Sequence, residues 1–464
     1  MEVTFPENMF LIEIRLGRTK WRIKQTTARI AKTYQIEEFS EKHPHITLFG
    51  PFTVKKGVSV QDLLRAVESA AKAFCAIPFL IHGYDTNQGL NGAVISYKVI
   101  PTHLLADLTG TVSRSVGDLA DNLNTWDQDP GQKWYHVTIA NRLDREQAAG
   151  IFAYLKNQPP VTTPFEEMQI RSPGSRNLDQ GTSEASEAGL PELSPRPPLY
   201  DEEGLRITVV QGGNILAEYD LMLHRWFFPG SPDTGRTWKQ TLHEHRKKSG
   251  LELTCPKYHK NPEIFVISDL HFGHANIIRY CARPFSHDAV DEMDKVLIKN
   301  WNYTVKPADR IFHIGDLCYG ANSKHPSEYL QRLNGKIFLI EGNHDEKNTD
   351  AHLSETLVHR DIPFLLIHDP DDVRESFSGW VVHGHHHNNN LTDYPFINFE
   401  DRRINVSAEV IRYQPVSLSY LCDIIEDHTS KPKTRSILLR GEYERRSKDS
   451  QPLYGDSVYS RYGI

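Results

Sequence analysis

Along this chain, apolar positions recur with a period of two in some segments and with a helical period in others, which predicts an α/β chain. FLIEIRL (10–16) reads as a strand, KWRIKQTTARIAKTY (20–34) as a helix, HITLFG (45–50) as a strand and 61–75 as a second helix. LRITVVQGGNILAEYDL reads as two strands joined by a Gly-Gly turn, since consecutive glycines supply the conformations a tight hairpin needs. A polar helix is expected from about Thr237 to Lys248, Cys255-Pro256 breaks the pattern, and Ile264 to Ser268 opens a new strand. The boundary between two domains is therefore expected near 250–260. Beyond it the runs EIFVIS, RIFHI, KIFLI, FLLI and WVV read as buried strands, each delivering the polar block that follows it to one edge of a sheet.

Two segments lack any period. Residues 171–200 are rich in Ser, Gly, Pro and Glu and read as a mobile insertion within the first domain, and the residues from 441 to 464 read as a polar tail. A first domain over 1–252, with a helical connector at about 226–252, and a second over 258–440 follow. At 464 residues the chain exceeds what one hydrophobic core usually serves, which agrees with two domains.

Charge sharpens the division. The net charge is −7, yet residues 1–260 carry 30 Lys+Arg and 30 Asp+Glu, so the acidic excess lies entirely in the second half. That argues against a protein held on nucleic acid by a general basic field. Five dispersed cysteines with no CxxC pair exclude a disulfide framework or zinc ribbon and suit a reducing compartment. The N-terminus has no basic and apolar leader pattern, and the longest apolar stretch, around Ala73 to Ile81, is too short to span a bilayer. A cytoplasmic protein with no membrane partner is expected.

The first half holds two segments of one design, His45-Ile46-Thr47-Leu48 and His136-Val137-Thr138-Ile139. In a strand, His and Thr two positions apart share a face while the aliphatic residues take the other. Such a pair suits metal-free hydrolysis of a cyclic phosphodiester: one imidazole takes a proton from water, the other protonates the departing oxygen, and the Thr hydroxyls hold phosphate oxygens. One His-x-Thr is more simply a strand with a polar face; two copies in apolar strand contexts favour chemistry. The aromatics Phe49, Phe52, Trp134 and Tyr135 either stack on a base or fill the core beside these strands.

HPHITLFGPF and WYHVTIA resemble the paired motifs of the two-histidine phosphoesterases, the superfamily of 2′,3′-cyclic phosphodiesterases once described as 2′-5′ RNA ligases. The resemblance covers about residues 5–225 and includes the closing hairpin. It implies a bilobal, pseudo-symmetric fold with one motif per lobe facing a central groove, catalysis by His45, Thr47, His136 and Thr138, and no metal in this domain. The insertion at 171–200 departs from the family pattern.

In the second half 15 of the 23 histidines lie after residue 255. Ser268-Asp269-Leu270-His271, Gly315-Asp316, Gly342-Asn343-His344-Asp345, His368 and Gly384-His385-His386-His387 follow in order. Two-metal phosphoester hydrolysis needs a shared carboxylate and mixed oxygen and nitrogen ligands, and these blocks supply both. As plain polar turns they would not recur in this order behind apolar runs.

The series resembles the calcineurin-like metallophosphoesterases over about 261–425, and DLHFGHANIIRYCARPF looks most like their small stand-alone bacterial and archaeal members. The resemblance implies a four-layer αββα sandwich and two divalent ions; His, Asp and Asn ligands suit Mn, Fe, Zn, Co or Ni, and manganese is favoured. Asp269, His271 and His387 would hold one ion, Asn343, His368 and His385 the other, with Asp316 between them and His344 beside the phosphate as proton donor. His274, Arg283 and His313 lie within these blocks as candidate substrate contacts, though a packed His and a solvated Arg are commoner.

Together these readings predict a bifunctional hydrolase that opens a 2′,3′-cyclic phosphate and then removes the resulting phosphate, as in RNA end healing. The substrates would be RNA 3′ ends or nucleotides, with no protein partner evident. Two alternatives remain: breakdown of cyclic-nucleotide or ADP-ribose cyclic phosphate signals, and a first domain that only binds RNA ends for the metal enzyme.

Overall fold

The alternating segments of the first half pair into two antiparallel, curled sheets. Their strands are β1 (Phe10–Arg15), β2 (His45–Val54), β3 (Ile77–Gly89), β4 (Gly92–Pro101), β5 (Ala120–Asn122), β6 (His136–Leu143), β7 (Leu199–Gly204), β8 (Arg206–Gln211), β9 (Asn214–Asp220) and β10 (Arg225–Phe227). One sheet runs β10-β9-β8-β1-β2-β5 and the other β6-β4-β3-β7, one for each lobe. The computed structural model describes residues 6–17, 19–36, 43–89, 92–122, 124–157, 198–230, 234–321, 323–345, 351–373, 377–430 and 437–438.

Period two decides what each strand buries. Ile46 and Leu48 on β2, and Val137 and Ile139 on β6, enter one continuous core with Ile12, Ile14, Ile95 and Tyr97, which leaves His45, Thr47, His136 and Thr138 on the opposite faces. The helix Lys20–Tyr34 adds Ile23 and Ile30 to this core. The helix Val60–Ala71 starts at a capping box between Ser59 and Asp62, four residues short of the expected end at 75. The expected Gly-Gly turn joins β8 to β9, with Gly212 and Gly213 both at positive φ (54° and 82°).

Most of the expected insertion, 171–197, and the whole expected tail, 441–464, lie outside the described residues. Leu199 and Tyr200, at the end of that expected insertion, belong instead to β7, where Tyr200 pairs with Ile81 of β3. Likewise Arg225–Phe227, at the expected start of the connector, pairs with β9 as the edge of the first sheet.

The helix Thr234–Lys248 joins the halves through two neighbouring residues. His245 Nε2 meets Glu203 of β7 at 2.6 Å, while buried Arg246 donates to Pro284 O (2.9 Å), pairs with Glu292 and lies over the Phe285 ring at 4.4 Å. Arg22 of the first helix donates to Asn389 O (3.2 Å), two residues beyond His387.

The second half is a sandwich of two sheets faced by helices. One sheet has β11 (Ile264–Ile267), β12 (Arg310–Ile314) and β13 (Lys336–Ile340) in parallel, with β19 (Val416–Ser417) antiparallel on β11. The other runs β14-β15-β16-β18-β17-β20, from β14 (Ser354–His359), β15 (Ile362–Ile367), β16 (Trp380–His383), β17 (Ile397–Asn398), β18 (Arg403–Asn405) and β20 (Ile437–Leu438). The polar blocks thus converge from two sheets rather than one: three follow β11, β12 and β13, and two follow β15 and β16. A pair of sheet ends can place ligands on opposite sides of a site, which one sheet edge cannot. KIFLI is not a fully buried strand either; β13 is an edge, and Phe338 is 41% exposed.

The helix Val290–Thr304 anchors this half with Trp301, which is 0% exposed and donates Nε1–H to Asn334 O at 2.8 Å. Replacing so large a buried side chain leaves a cavity and an orphaned carbonyl, so Trp301→Ala is expected to cost about 3–5 kcal/mol. Urea unfolding followed in the second domain measures it; an unchanged midpoint would show that Trp301 does not anchor the helix.

Candidate active sites

In the first half the two His-x-Thr strands present matching imidazoles. His45 Nδ1 lies 2.9 Å from His43 O, and His136 Nδ1 lies 3.0 Å from Trp134 O, in each case the carbonyl two residues earlier. A carbonyl only accepts, so Nδ1 carries the proton and Nε2 is the atom each ring offers for chemistry. Burial, and after it the nearby charges of His45 and Lys133, hold His136 below the ordinary imidazole value even against its bond to Trp134 O. It is therefore neutral near pH 7, as a general base requires.

Register supplies partners that a linear reading missed. Arg15 stands opposite His45 and Glu13 opposite Thr47, while Lys98 stands opposite His136 and Ser96 opposite Thr138. Glu13 is buried, accepts from Arg15 Nε at 2.6 Å and lies 3.5 Å from His45 Nε2. The signal was present as the polar alternation in Glu13-Ile14-Arg15 and Ser96-Tyr97-Lys98, but sequence does not say which strands are neighbours. Beneath the loop before His136, Lys133 pairs with buried Asp127 at 2.8 Å, and Asp127 accepts from Gly50 N at 3.0 Å, tying the two lobes together.

The aromatic candidates separate. Phe49 is 1% exposed and packs edge-on against Phe52, and Tyr135 is 7% exposed, so these three fill the core and do not meet a base. Trp134 stacks on the His136 ring (3.8 Å, 17°) and donates Nε1–H to Asp85 at 2.9 Å, which makes it a support for the imidazole.

In the second half the ligand-type residues gather where the two sheets end. Donor atoms of Asp269, His271 and His387 lie within 4.8 Å of one another, as do those of Asp269, Asp316 and His368. Asn343 Oδ1 sits 3.0 Å from His368 Nε2 and 3.2 Å from His385 Nδ1. Asp269, His271, Asp316, His385 and His387 all have φ between 48° and 69°. Non-glycine residues adopt that conformation at a cost of roughly 1 kcal/mol or more, and the packing around them holds it at the site. The glycines of the same blocks allow close approach: a Cβ on Gly342 would fall 2.3 Å from Asp316 Oδ1, and one on Gly384 2.3 Å from Asp269 Oδ2. Asp345 accepts from the backbone N–H groups of Asp316, Leu317 and Gly342 (2.8, 3.0 and 2.9 Å) and so fixes two ligand loops to each other.

Two candidate substrate contacts are not on the surface. Arg283 is 3% exposed; it pairs with Glu409 at 2.6 Å and donates to Leu270 O and Asp269 O (2.8 and 2.7 Å). It braces the Asp269 loop. His274 is buried beside His271 and Tyr319, with ring centroids 5.5 and 5.1 Å away, and burial pushes its pKa down to about 3. The backbone N–H of His344 donates to Asp316 Oδ1 at 2.9 Å, and the residue lines a cavity of about 590 Å³.

Residues 19–176 match the family model of the 2′-5′ RNA ligase superfamily, and residues 262–456 that of the calcineurin-like phosphoesterases. This chain joins a domain of each family. Both halves thus belong to phosphoesterase families, which supports a hydrolase acting on phosphoester bonds. An uncharacterized protein of Methanocaldococcus jannaschii is 49% identical over 166 residues, which span 35% of this chain and 92% of that protein. The gene 66 protein of Mycobacterium phage L5 is 36% identical over 90 residues, 18% of this chain and 42% of that protein. Among solved structures, a protein of unknown function from Aquifex aeolicus is 24% identical, with a TM-score of 0.28, over 36% of this chain and 100% of that one. No helix among the described residues is long and apolar enough to cross a membrane.

The calcineurin-like domain implies divalent-metal binding, and its residues fit that role. Asp316 Oδ2 is buried and takes no hydrogen bond among the described residues, while Nε2 of His271 and of His368 lie 3.3 and 3.6 Å from it. Such spacings are those of donor atoms around an ion bound at about 2.0–2.2 Å.

His387 is in turn oriented by a carboxylate that sequence reasoning passed over: its Nδ1 lies 3.1 Å from Glu409 Oε2. Burial opposes ionisation of Glu409, but the charges of Arg283 and then His387 outweigh it and keep the group anionic. Glu409→Gln is expected to weaken metal affinity about 10–100-fold. Isothermal titration of metal-stripped protein with manganese measures this, and an unchanged affinity would remove Glu409 from the site.

Proposed function

We propose that the first domain opens 2′,3′-cyclic phosphates by paired histidine catalysis and that the second removes the phosphate left behind, so that RNA 3′ ends or nucleotides leave with free hydroxyls. The observation that carries the reading is the pairing of two imidazoles, each with Nδ1 held by the carbonyl two residues before it.

In the first domain, His136 Nε2 takes a proton from water as the water oxygen adds to phosphorus. The bond from phosphorus to one ribose oxygen breaks, and His45 gives that oxygen its proton. Thr47 and Thr138 hold the non-bridging oxygens, and Arg15 and Lys98, one beside each motif, offset the phosphate charge.

In the second domain Asp269, His271 and His387 would hold one ion and Asn343, His368 and His385 the other, with Asp316 serving both. Bound divalent ions there polarise a phosphoryl oxygen and make water a better nucleophile. The chain's own contribution is His344, which lines the cavity and whose imidazole passes a proton to the leaving alcohol. All five cysteines are free thiols, which fits the reducing cytoplasm in which we place the protein.

An RNA oligonucleotide ending in 2′,3′-cyclic phosphate tests the reading. With chelator, mass spectrometry should show the ring-opened monoester, and with manganese it should show the hydroxyl end. Ring opening that chelator abolishes, or no ring opening at all, would overturn it.

A further inference from the structure

The cavity beside His344 is not explained by holding ions or a phosphate. It is about 590 Å³, within the range of about 300–1,000 Å³ typical of small-molecule sites. Leu317, Leu339, Ile340 and Ala351 make much of its wall apolar. Tyr319 is 38% exposed, and its ring is seated against His344 (4.5 Å) and His274 (5.1 Å). An aromatic held this way at a cavity wall is a stacking platform.

His313, on β12 between Ile267 of β11 and Leu339 of β13, also lines the cavity. Its side chain is 1% exposed, and neither ring nitrogen has a hydrogen-bond partner among the described residues. Buried polar groups are nearly always satisfied, so an imidazole left over in a cavity lining points to a ligand that completes it. A neutral imidazole presents one N–H and one lone pair, matching a ring edge that carries both an acceptor and a donor.

Charge narrows the class further. Among the described residues of the lining, the carboxylate of Asp345 is committed to three backbone N–H groups, whereas Lys324 and His325 stand exposed. An alcohol that carries a further anionic group finds a partner in Lys324.

We propose that this cavity is the leaving-group site of the metal centre and takes a nucleobase, stacked on Tyr319 with its polar edge on His313 and a neighbouring phosphate on Lys324. The inference rests on the reading of the second domain as a phosphatase of nucleotide ends. It deepens that reading by assigning the alcohol side of the ester to a nucleoside, and it predicts that oligonucleotide ends and nucleoside bisphosphates are better substrates than simple alkyl phosphates.

The test compares kcat/KM for a nucleoside 3′-monophosphate with that for glycerol 2-phosphate in the full-length manganese-loaded protein. Tyr319→Leu is expected to lower this ratio about tenfold, mostly through KM, since a stacked base contributes that much on an aromatic platform. Tyr319→Trp should preserve the ratio. An unchanged ratio in Tyr319→Leu, with nucleotides still cleaved, would overturn the cavity assignment alone. Wild-type protein that cleaves glycerol phosphate but no nucleotide would overturn the underlying reading as well. Titration of chelator-treated wild-type and Tyr319→Leu protein with adenosine or uridine reads the cavity by difference: heat of binding lost in the variant supports the assignment, and equal heat overturns it.

Discussion

Asp316→Ala is expected to eliminate metal-dependent phosphate release while the metal-free ring opening at His45 and His136 persists. Asp316 is fully buried, with two imidazoles within 3.6 Å of Oδ2 and the His344 N–H on Oδ1. Those imidazoles, together with the approach of His344, overcome its burial and hold its pKa well below the ordinary carboxylate value, so it stands as an anion. Its loss would remove the carboxylate that we assign to both ions and the acceptor of the His344 backbone N–H. Several kcal/mol of transition-state stabilisation lost with the ions correspond to a fall of about 1,000-fold or more. Metal content of the purified variant and phosphate release from a nucleotide monoester give two readings. Full metal content with activity near wild type would show that Asp316 is not shared.

The second large effect concerns the first domain. His45→Ala and His136→Ala are each expected to slow ring opening by about 100- to 10,000-fold, the usual contribution of a positioned acid or base. The pH profile separates their roles. A base must be neutral, so activity falls as the pH drops through the His136 pKa, and burial places that limb below the ordinary imidazole value. In His136→Ala the acidic limb should disappear from the residual activity. A flat wild-type profile from about pH 5 to 9 would count against the pair.

The motifs were legible because the chemistry they serve is local. His-x-Thr needs only a strand to put both groups on one face, and the blocks from Ser268 to His387 each follow an apolar run that delivers them. The helix Lys20–Tyr34 and the β8–β9 hairpin were legible for the same reason, since periodicity and a Gly-Gly turn act over a few residues. Aromatics beside a motif were harder. Phe49 and Trp134 lie near their histidines in sequence, yet one faces the core and the other stacks on an imidazole, because an irregularity in the β1–β2 register between Thr47 and Phe49 breaks the alternation there, and Trp134 lies in the segment before β6.

Residue types and their order along the chain therefore determined that this protein has two phosphoesterase-family domains and which side chains are candidates for their chemistry. Tertiary structure alone decided what stands around those side chains. Arg283 became a brace because Glu409 lies 126 positions away in sequence but 2.6 Å away in space, and the two sheets meet so that His385 N and the Asp269 carboxylate, 116 positions apart, come within 3.2 Å. The pairing of Arg15 with His45, of Lys98 with His136, and the unfilled edge of His313 likewise depend on strand register and long-range packing. Those are set by the global burial of apolar faces, and no short window of sequence contains them.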